Sequence, residues 1–189
     1  MLLLVCMAGL WTSCSQTDTP VGWQTLPVDS LYNIRLPETM IPGEGMHEYA
    51  SLQYYDPQND FYVLGIEDPK TNLGEVKRKR LKLKGYYSFV ENTVFQRVDS
   101  SARESEMSSP SLRGMEMMAG DYYANSQTWG GVPLFYRIAV FDHPDFFFQL
   151  VIWTPYDNSC ERMGWIDTIT TSLRFVGIDE SDTTAVSGR

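Results

Sequence analysis

The sequence predicts an α+β domain: an antiparallel β-sheet with a central and a C-terminal helix packed against it. Three observations carry that prediction. LFYRIAVF (134–141) and FFFQLVIW (146–153) are long apolar runs joined by only four residues, a spacing that makes an antiparallel hairpin. The apolar residues of GYYSFVENTVFQRV instead recur at helical spacing. Strands and helices do not alternate regularly, so a doubly wound parallel sheet is the weaker alternative.

The first elements follow from period-two alternation. Tyr32, Ile34 and Leu36 share one face of a strand, and Ala50, Leu52 and Tyr54 share one face of the next, with PETMIPGEG between them as a loop. FYVLGIE (61–67) is apolar at odd and even positions alike, which suits a central strand covered on both sides. Residues 86–99 form an amphipathic helix with Tyr86, Phe89, Val90, Val94 and Val98 on its stripe. SSARESEMSSP has the composition of a loop, and LRGMEMM and DYYANSQTW read as strands. After the hairpin, Thr154-Pro155-Tyr156-Asp157 opens the last helix, whose stripe is Met163, Ile166, Ile169 and Leu173.

The chain of 189 residues, 43% of them apolar, is sized for one core. Its ends read differently from its middle. The apolar leader MLLLVCMAGLWTSC is too short to span a bilayer, and it resembles a bacterial lipoprotein signal with small residues Thr12 and Ser13 before Cys14. It departs from that pattern at Trp11 and in having no basic residue ahead of the apolar stretch. Residues 1–13 are therefore read as a signal peptide, Cys14 as the lipidated residue, 14–22 with it as a tether, 23–176 as the domain, and 177–189 as a disordered acidic tail. Cys160, on the last helix, is read as a small core residue.

Fifteen basic against 24 acidic residues give a net charge of −9, which repels nucleic acid phosphates. The partners expected are the membrane, through the N-terminal lipid, and an envelope protein or small ligand. No cofactor is implied, and no G-x-S-x-G elbow or comparable catalytic motif is present.

Several sites stand out by composition. FDHPDF places Asp142, His143 and Asp145 together as oxygen and nitrogen ligands for a divalent metal, with His47 or Glu48 the only groups placed to join them. The turn reading of the same residues takes precedence, because metal ligands usually converge from separate segments. Lys77, Arg78, Lys79, Arg80, Lys82 and Lys84 make a basic run that could meet an anionic partner, or simply a solvated entry to the helix. Ser30 and Thr183 follow aspartates as in the short O-glycosylation acceptor of Bacteroidetes exported proteins. Tyr122, Tyr123, Trp129, Phe135, Tyr136, Phe146, Phe147, Phe148 and Trp153 are mostly core, and Phe147, Gln149, Val151 and Trp153 form a face whose cover the sequence does not assign.

The order of elements resembles a known family. LYNIRLPETM, EYASLQYYDPQNDFYVLGIEDPK, the central helix, the aromatic hairpin and a closing helix ending ITTSLRF are similar to the PsbP-like fold, over residues 23–176. Its bacterial members include small periplasmic proteins and lipoproteins, and the terse leader and tether resemble those of Bacteroidetes lipoproteins. The resemblance implies an accessory or binding role on the periplasmic side of the outer membrane; an envelope hydrolase acting on glycan or peptide is the alternative.

Labelled palmitate should enter the wild-type chain in its native host and not a Cys14→Ala variant. Equal incorporation into both would remove the anchor.

Overall fold

The computed structural model describes residues 22–73, 82–96, 100–112, 114–125 and 130–178. In chain order these form β1 (Trp23–Val28), β2 (Tyr32–Pro37), β3 (Ile41–Pro42), β4 (Ala50–Asp56), β5 (Phe61–Pro69), a 3₁₀ turn (Lys70–Leu73), α1 (Leu83–Phe95), β6 (Ser100–Leu112), β7 (Met115–Asn125), β8 (Pro133–Asp142), β9 (Phe146–Pro155), α2 (Tyr156–Ser172) and β10 (Arg174–Phe175). The predicted α+β class holds, with two sheets rather than one. A seven-stranded sheet runs β3-β4-β5-β9-β8-β7-β6, and a small one runs β1-β2-β10. Every strand pair is antiparallel.

The large sheet is the middle layer. Even-numbered residues of β8 (Leu134, Tyr136, Ile138, Val140) and odd-numbered residues of β9 (Phe147, Val151) face α1 with Tyr86, Tyr87 and Val90. Their neighbours Phe135, Ala139, Phe141, Phe148, Leu150 and Ile152 face the other way, onto Tyr32, Ile34 and Leu36 of β2, Ile166 and Ile169 of α2, and Leu173 just after it. The hairpin thus supplies both faces, as period two requires. β5 behaves as read: Phe61 and Val63 pack on one side and Leu64 on the other.

Four readings are corrected. Residues 100–110 pair with β7 from Ser100↔Asn125 onward, as an edge strand and not a loop. Serines and charges suit an edge because it presents unpaired backbone, which polar residues protect, and the register shift between Ser109 and Leu112 accommodates Pro110. LRGMEMM is not one strand: Leu112 ends β6, Gly114 turns at φ +84°, and β7 starts at Met115. Ala50 packs with Met46 and Ile66 on the α1 side, whereas Leu52 lies in the opposite core, because a register shift between them flips the strand. Finally, α1 spans Leu83–Phe95 instead of 86–99, and Phe89 on its predicted stripe is 55% exposed. Cys160 is half-buried on α2. The predicted roles of Cys14, Trp129, Lys77–Arg80 and Thr183, and the expected disorder of the tail, fall outside the described residues.

Two buried polar groups join the layers. Arg137, 6% exposed on β8, donates to both carboxylate oxygens of Asp121 on β7 and to Asp167 on α2. Burial alone would lower its pKa, but the two carboxylates outweigh it and the guanidinium stays charged. Asp56, fully buried, accepts from Thr39, from the side chain and backbone of Asn59 and from the backbone of Gln58, which closes the β4–β5 turn.

Arg137→Met should cost roughly 3 kcal/mol or more in urea melts, because it strands Asp121 unpaired. Asp167→Ala should stay within about 1 kcal/mol, since that carboxylate is 59% exposed on its side chain. For Asp56, burial raises the pKa, but its hydrogen bonds outweigh that and hold it below the usual carboxyl value. Its stabilisation is therefore present above the unfolded pKa of about 3.9 and lost as the pH falls through the lower folded value. Acid melts of Asp56→Asn should show a shallower loss of stability over that window than wild type.

Candidate functional site

The face left unassigned by the sequence lies under α1, and α1 does not fill the space above it. The helix seats on β7, β8 and β9. Tyr87 and Tyr122 share a hydrogen bond at 2.7 Å. The Tyr87 hydroxyl lies where a side chain on Gly120 would stand, so a residue without Cβ is needed there. Beyond this seat the sheet continues to β5 and β4 without helical cover. Between them is a cleft of about 350 Å³ with Leu64, Ile66, Val151 and Trp153 as floor. Val90, Thr93 and Val94 of α1 form one wall, and Met46 and His47 of the 43–49 loop form the other. Tyr136 and Gln149 complete the lining. This inner part is aliphatic and aromatic, with few polar groups, in the size range of small-molecule sites.

Trp153 belongs to an aromatic row crossing four strands. Tyr55, Tyr62, Trp153 and Tyr136 are successive cross-strand partners, stacked at 6.1, 5.1 and 6.3 Å between ring centroids. Register puts them on one face, and stacked pairs of this kind stiffen the sheet beneath the cleft.

An outer section of about 560 Å³ shares His47, Ile66, Thr93 and Gln149 with the inner one and adds Tyr49, Glu67, Asp68, Pro69 and Phe89. Tyr49 is 71% exposed and Phe89 55%. The two carboxylates take opposite faces of β5: Tyr86 donates to Asp68 at 2.9 Å on the cleft side, whereas Ser51, which shares a hydrogen bond with Tyr32, donates to Glu67 at 2.5 Å on the small-sheet side. Gln149 in turn donates to the Tyr86 hydroxyl at 2.6 Å, so a residue on the cleft floor fixes the group that fixes Asp68. Burial, reinforced by Asp68, pushes the Tyr86 phenol well above its ordinary pKa, so it remains a donor. Its ring stacks on Phe147 at 4.2 Å.

Of the residues singled out in the sequence, Gln149, Val151, Trp153 and His47 come together here. Asp142, His143 and Asp145 lie in the β8–β9 turn. Lys70 donates to Asp142 at 2.5 Å and to the His143 carbonyl at 2.6 Å, and Nδ1 of His143 accepts the Asp145 N–H at 3.2 Å. The imidazole stacks on Phe146 at 4.0 Å, and burial, with Lys70, holds its pKa below the ordinary value against the pull of Asp145. Among the described residues no three His, Cys, Asp or Glu side chains group as metal ligands would. Lys82 and Lys84 are exposed at the start of α1, and Ser30 is exposed at φ 56° in the β1–β2 turn. Sequence reasoning missed Asp68, Tyr49 and Phe89 as a group. The available signal was a carboxylate, Asp68, ending a strand that is apolar on both faces.

No family model matches the chain, and no curated protein matches its sequence. It is similar in structure to cyanobacterial PsbP (CyanoP) from Synechocystis sp. PCC 6803, with a TM-score of 0.62 and 13% identity, over 88% of this chain and 99% of that one. It is also similar to LpqN of Mycobacterium tuberculosis, described as involved in cell envelope biogenesis, with a TM-score of 0.54 and 11% identity over 85% and 94% of the two chains. At such identities the likeness is one of fold, and together with the element order and layers it establishes that the domain has an α+β, PsbP-like fold.

Proposed function

We propose that this domain is a non-catalytic binding module of the bacterial cell envelope, tethered through lipid on Cys14, that takes a small ligand in the cleft between α1 and the large sheet. The observation that carries the reading is the cleft itself: an apolar floor and wall of about 350 Å³, open to an outer section with fixed polar groups. LpqN, which shares the fold, is described as involved in cell envelope biogenesis, and the leader has the form of a lipoprotein signal; both support an envelope location. Among the described residues no helix is long and apolar enough to cross a membrane. The outer-membrane, periplasm-facing placement rests on the leader's resemblance to Bacteroidetes lipoproteins.

The hydrolase reading draws on His47 and Asp68 in the outer section. Tyr86 holds that carboxylate as an acceptor, and Nδ1 of His47 accepts the Tyr49 N–H at 3.3 Å, an arrangement that suits recognition of a ligand's polar end. The single-step test is occupancy of the inner cleft. N-phenyl-1-naphthylamine, an uncharged probe that fluoresces in apolar surroundings, should bind the wild-type chain. Val94→Trp, which fills the cleft from the helix side, should weaken that binding about tenfold, the loss of roughly 1.4 kcal/mol of apolar contact. An undiminished signal in Val94→Trp would move the site elsewhere.

A further inference from the structure

The inner cleft is apolar in its floor and walls, yet two of the residues that line it carry proton donors that the chain does not match. Tyr136 lines the cleft and is 9% exposed. Its hydroxyl makes no hydrogen bond among the described residues, and burial alone pushes its pKa up to about 12, so it keeps its proton. Trp153, the next ring in the aromatic row, has a buried indole N–H that is likewise unpartnered. Folded chains rarely leave buried donors unmatched, because each has given up its hydrogen bond to water. Other polar side chains of the inner lining are already engaged. Thr93 donates to the Phe89 carbonyl at 2.9 Å, Gln149 donates to Tyr86 at 2.6 Å, and Nδ1 of His47 accepts the Tyr49 N–H.

An indole can only donate, and a protonated phenol can donate beside it, so both groups call for an acceptor. That acceptor is uncharged. A carboxylate or phosphate taken out of water needs a cation beside it, and among the described residues no Lys or Arg lines the inner cleft. The Nδ1 contact of His47 is one that only the uncharged ring can make. Asp68 in the outer section and the net charge of −9 oppose an anion further. An ammonium group brings donors alone and would leave Tyr136 and Trp153 as they are. We infer that the cleft takes an uncharged acyl ligand, an ester or amide of an aliphatic acid, whose carbonyl accepts from the Tyr136 hydroxyl while its chain covers Leu64, Val90, Val94 and Val151. This rests on the reading of the cleft as a ligand site, and it adds the ligand's class. A carbonyl suits the pairing because its oxygen offers two lone pairs on a group that carries no charge, so little is lost on leaving water.

The test is displacement of N-phenyl-1-naphthylamine from the full chain, at neutral pH, by three compounds of the same chain length: methyl nonanoate, nonanoate and nonylammonium, each within its solubility and below its micelle-forming concentration. The ester should displace the probe at about tenfold lower concentration than either ion. Tyr136→Phe removes the hydroxyl and keeps the ring, and it should weaken the ester about fivefold relative to the probe. It should not lower the Tm of the ligand-free chain, because the hydroxyl has no partner there to lose. Tyr123→Phe, which removes a phenol beside Tyr156 of α2, should leave the ester's affinity unchanged. An ion that displaces the probe as well as the ester does, an ester indifferent to Tyr136→Phe, or a Tyr136→Phe chain that melts below wild type without ligand would overturn the inference while leaving the cleft a ligand site. Failure of the probe itself to bind would remove the cleft reading and the inference with it.

Discussion

The structure depends on one constraint: the large sheet is apolar on both faces and must be covered on both. β8 and β9 impose it, since their alternate residues point into different cores. On one face the cover is ample, with the small sheet and the 17-residue α2 side by side. On the other face there is one helix of 13 residues, about 20 Å long at 1.5 Å per residue. The seven strands span roughly 29 Å at about 4.8 Å between neighbours. A single helix cannot close that width, so it settles on β7–β9, where Tyr87 finds Gly120 and Tyr122, and leaves β4 and β5 open. The cleft is the uncovered remainder of a core.

The buried polar groups sit at the seams this arrangement creates. Arg137 joins β7, β8 and α2, Asp56 fastens the β4–β5 turn to the segment after β2, and Lys70 closes the β8–β9 turn on Asp142 while standing 4.7 Å over the Phe147 ring. A charge taken out of water must find its partners with good geometry, so each such residue admits one relative placement of the elements it joins. Apolar packing tolerates sliding; these contacts do not. They set register between layers that hydrophobic burial alone would hold loosely.

Much of the fold was legible because period reports which residues share a face. Tyr32, Ile34 and Leu36, the even and odd rows of the aromatic hairpin, and Ile166, Ile169 and Leu173 all went where their spacing sent them. Period is silent on two matters. It does not register an inserted residue, so Ala50 was placed with Leu52 although the bulge between them turns it over. Nor does it see an edge strand rich in serines and charges, which is why β6 read as a loop. The site was less legible still. Phe147, Gln149, Val151 and Trp153 were recognised as one face, but what lies above a face is decided by elements distant in sequence, here the 43–49 loop and the reach of α1. Phe89 shows the limit most clearly: its place on the helical stripe implies burial, yet it lines the outer section and is 55% exposed.

An incompletely covered core and a binding site are the same object seen from two sides. Apolar surface such as Leu64, Ile66 and Val151 costs about 25 cal/mol per Å² while water touches it. A molecule that covers it recovers that free energy and binds the folded chain alone, which couples occupancy to stability through mass action. The arrangement of α1 favours this coupling. Its anchors, Tyr86 to Asp68 and Tyr87 to Tyr122, lie in its first half, while Thr93 and Val94 of its second half overhang the cleft. The second half still rests on Phe95 against Tyr122 and Tyr136, so the overhang is supported and the opening keeps its shape. A preformed opening of this kind spends little ordering free energy on binding, and selectivity then falls to the polar groups of its lining rather than to the apolar floor, which accepts any chain that fits.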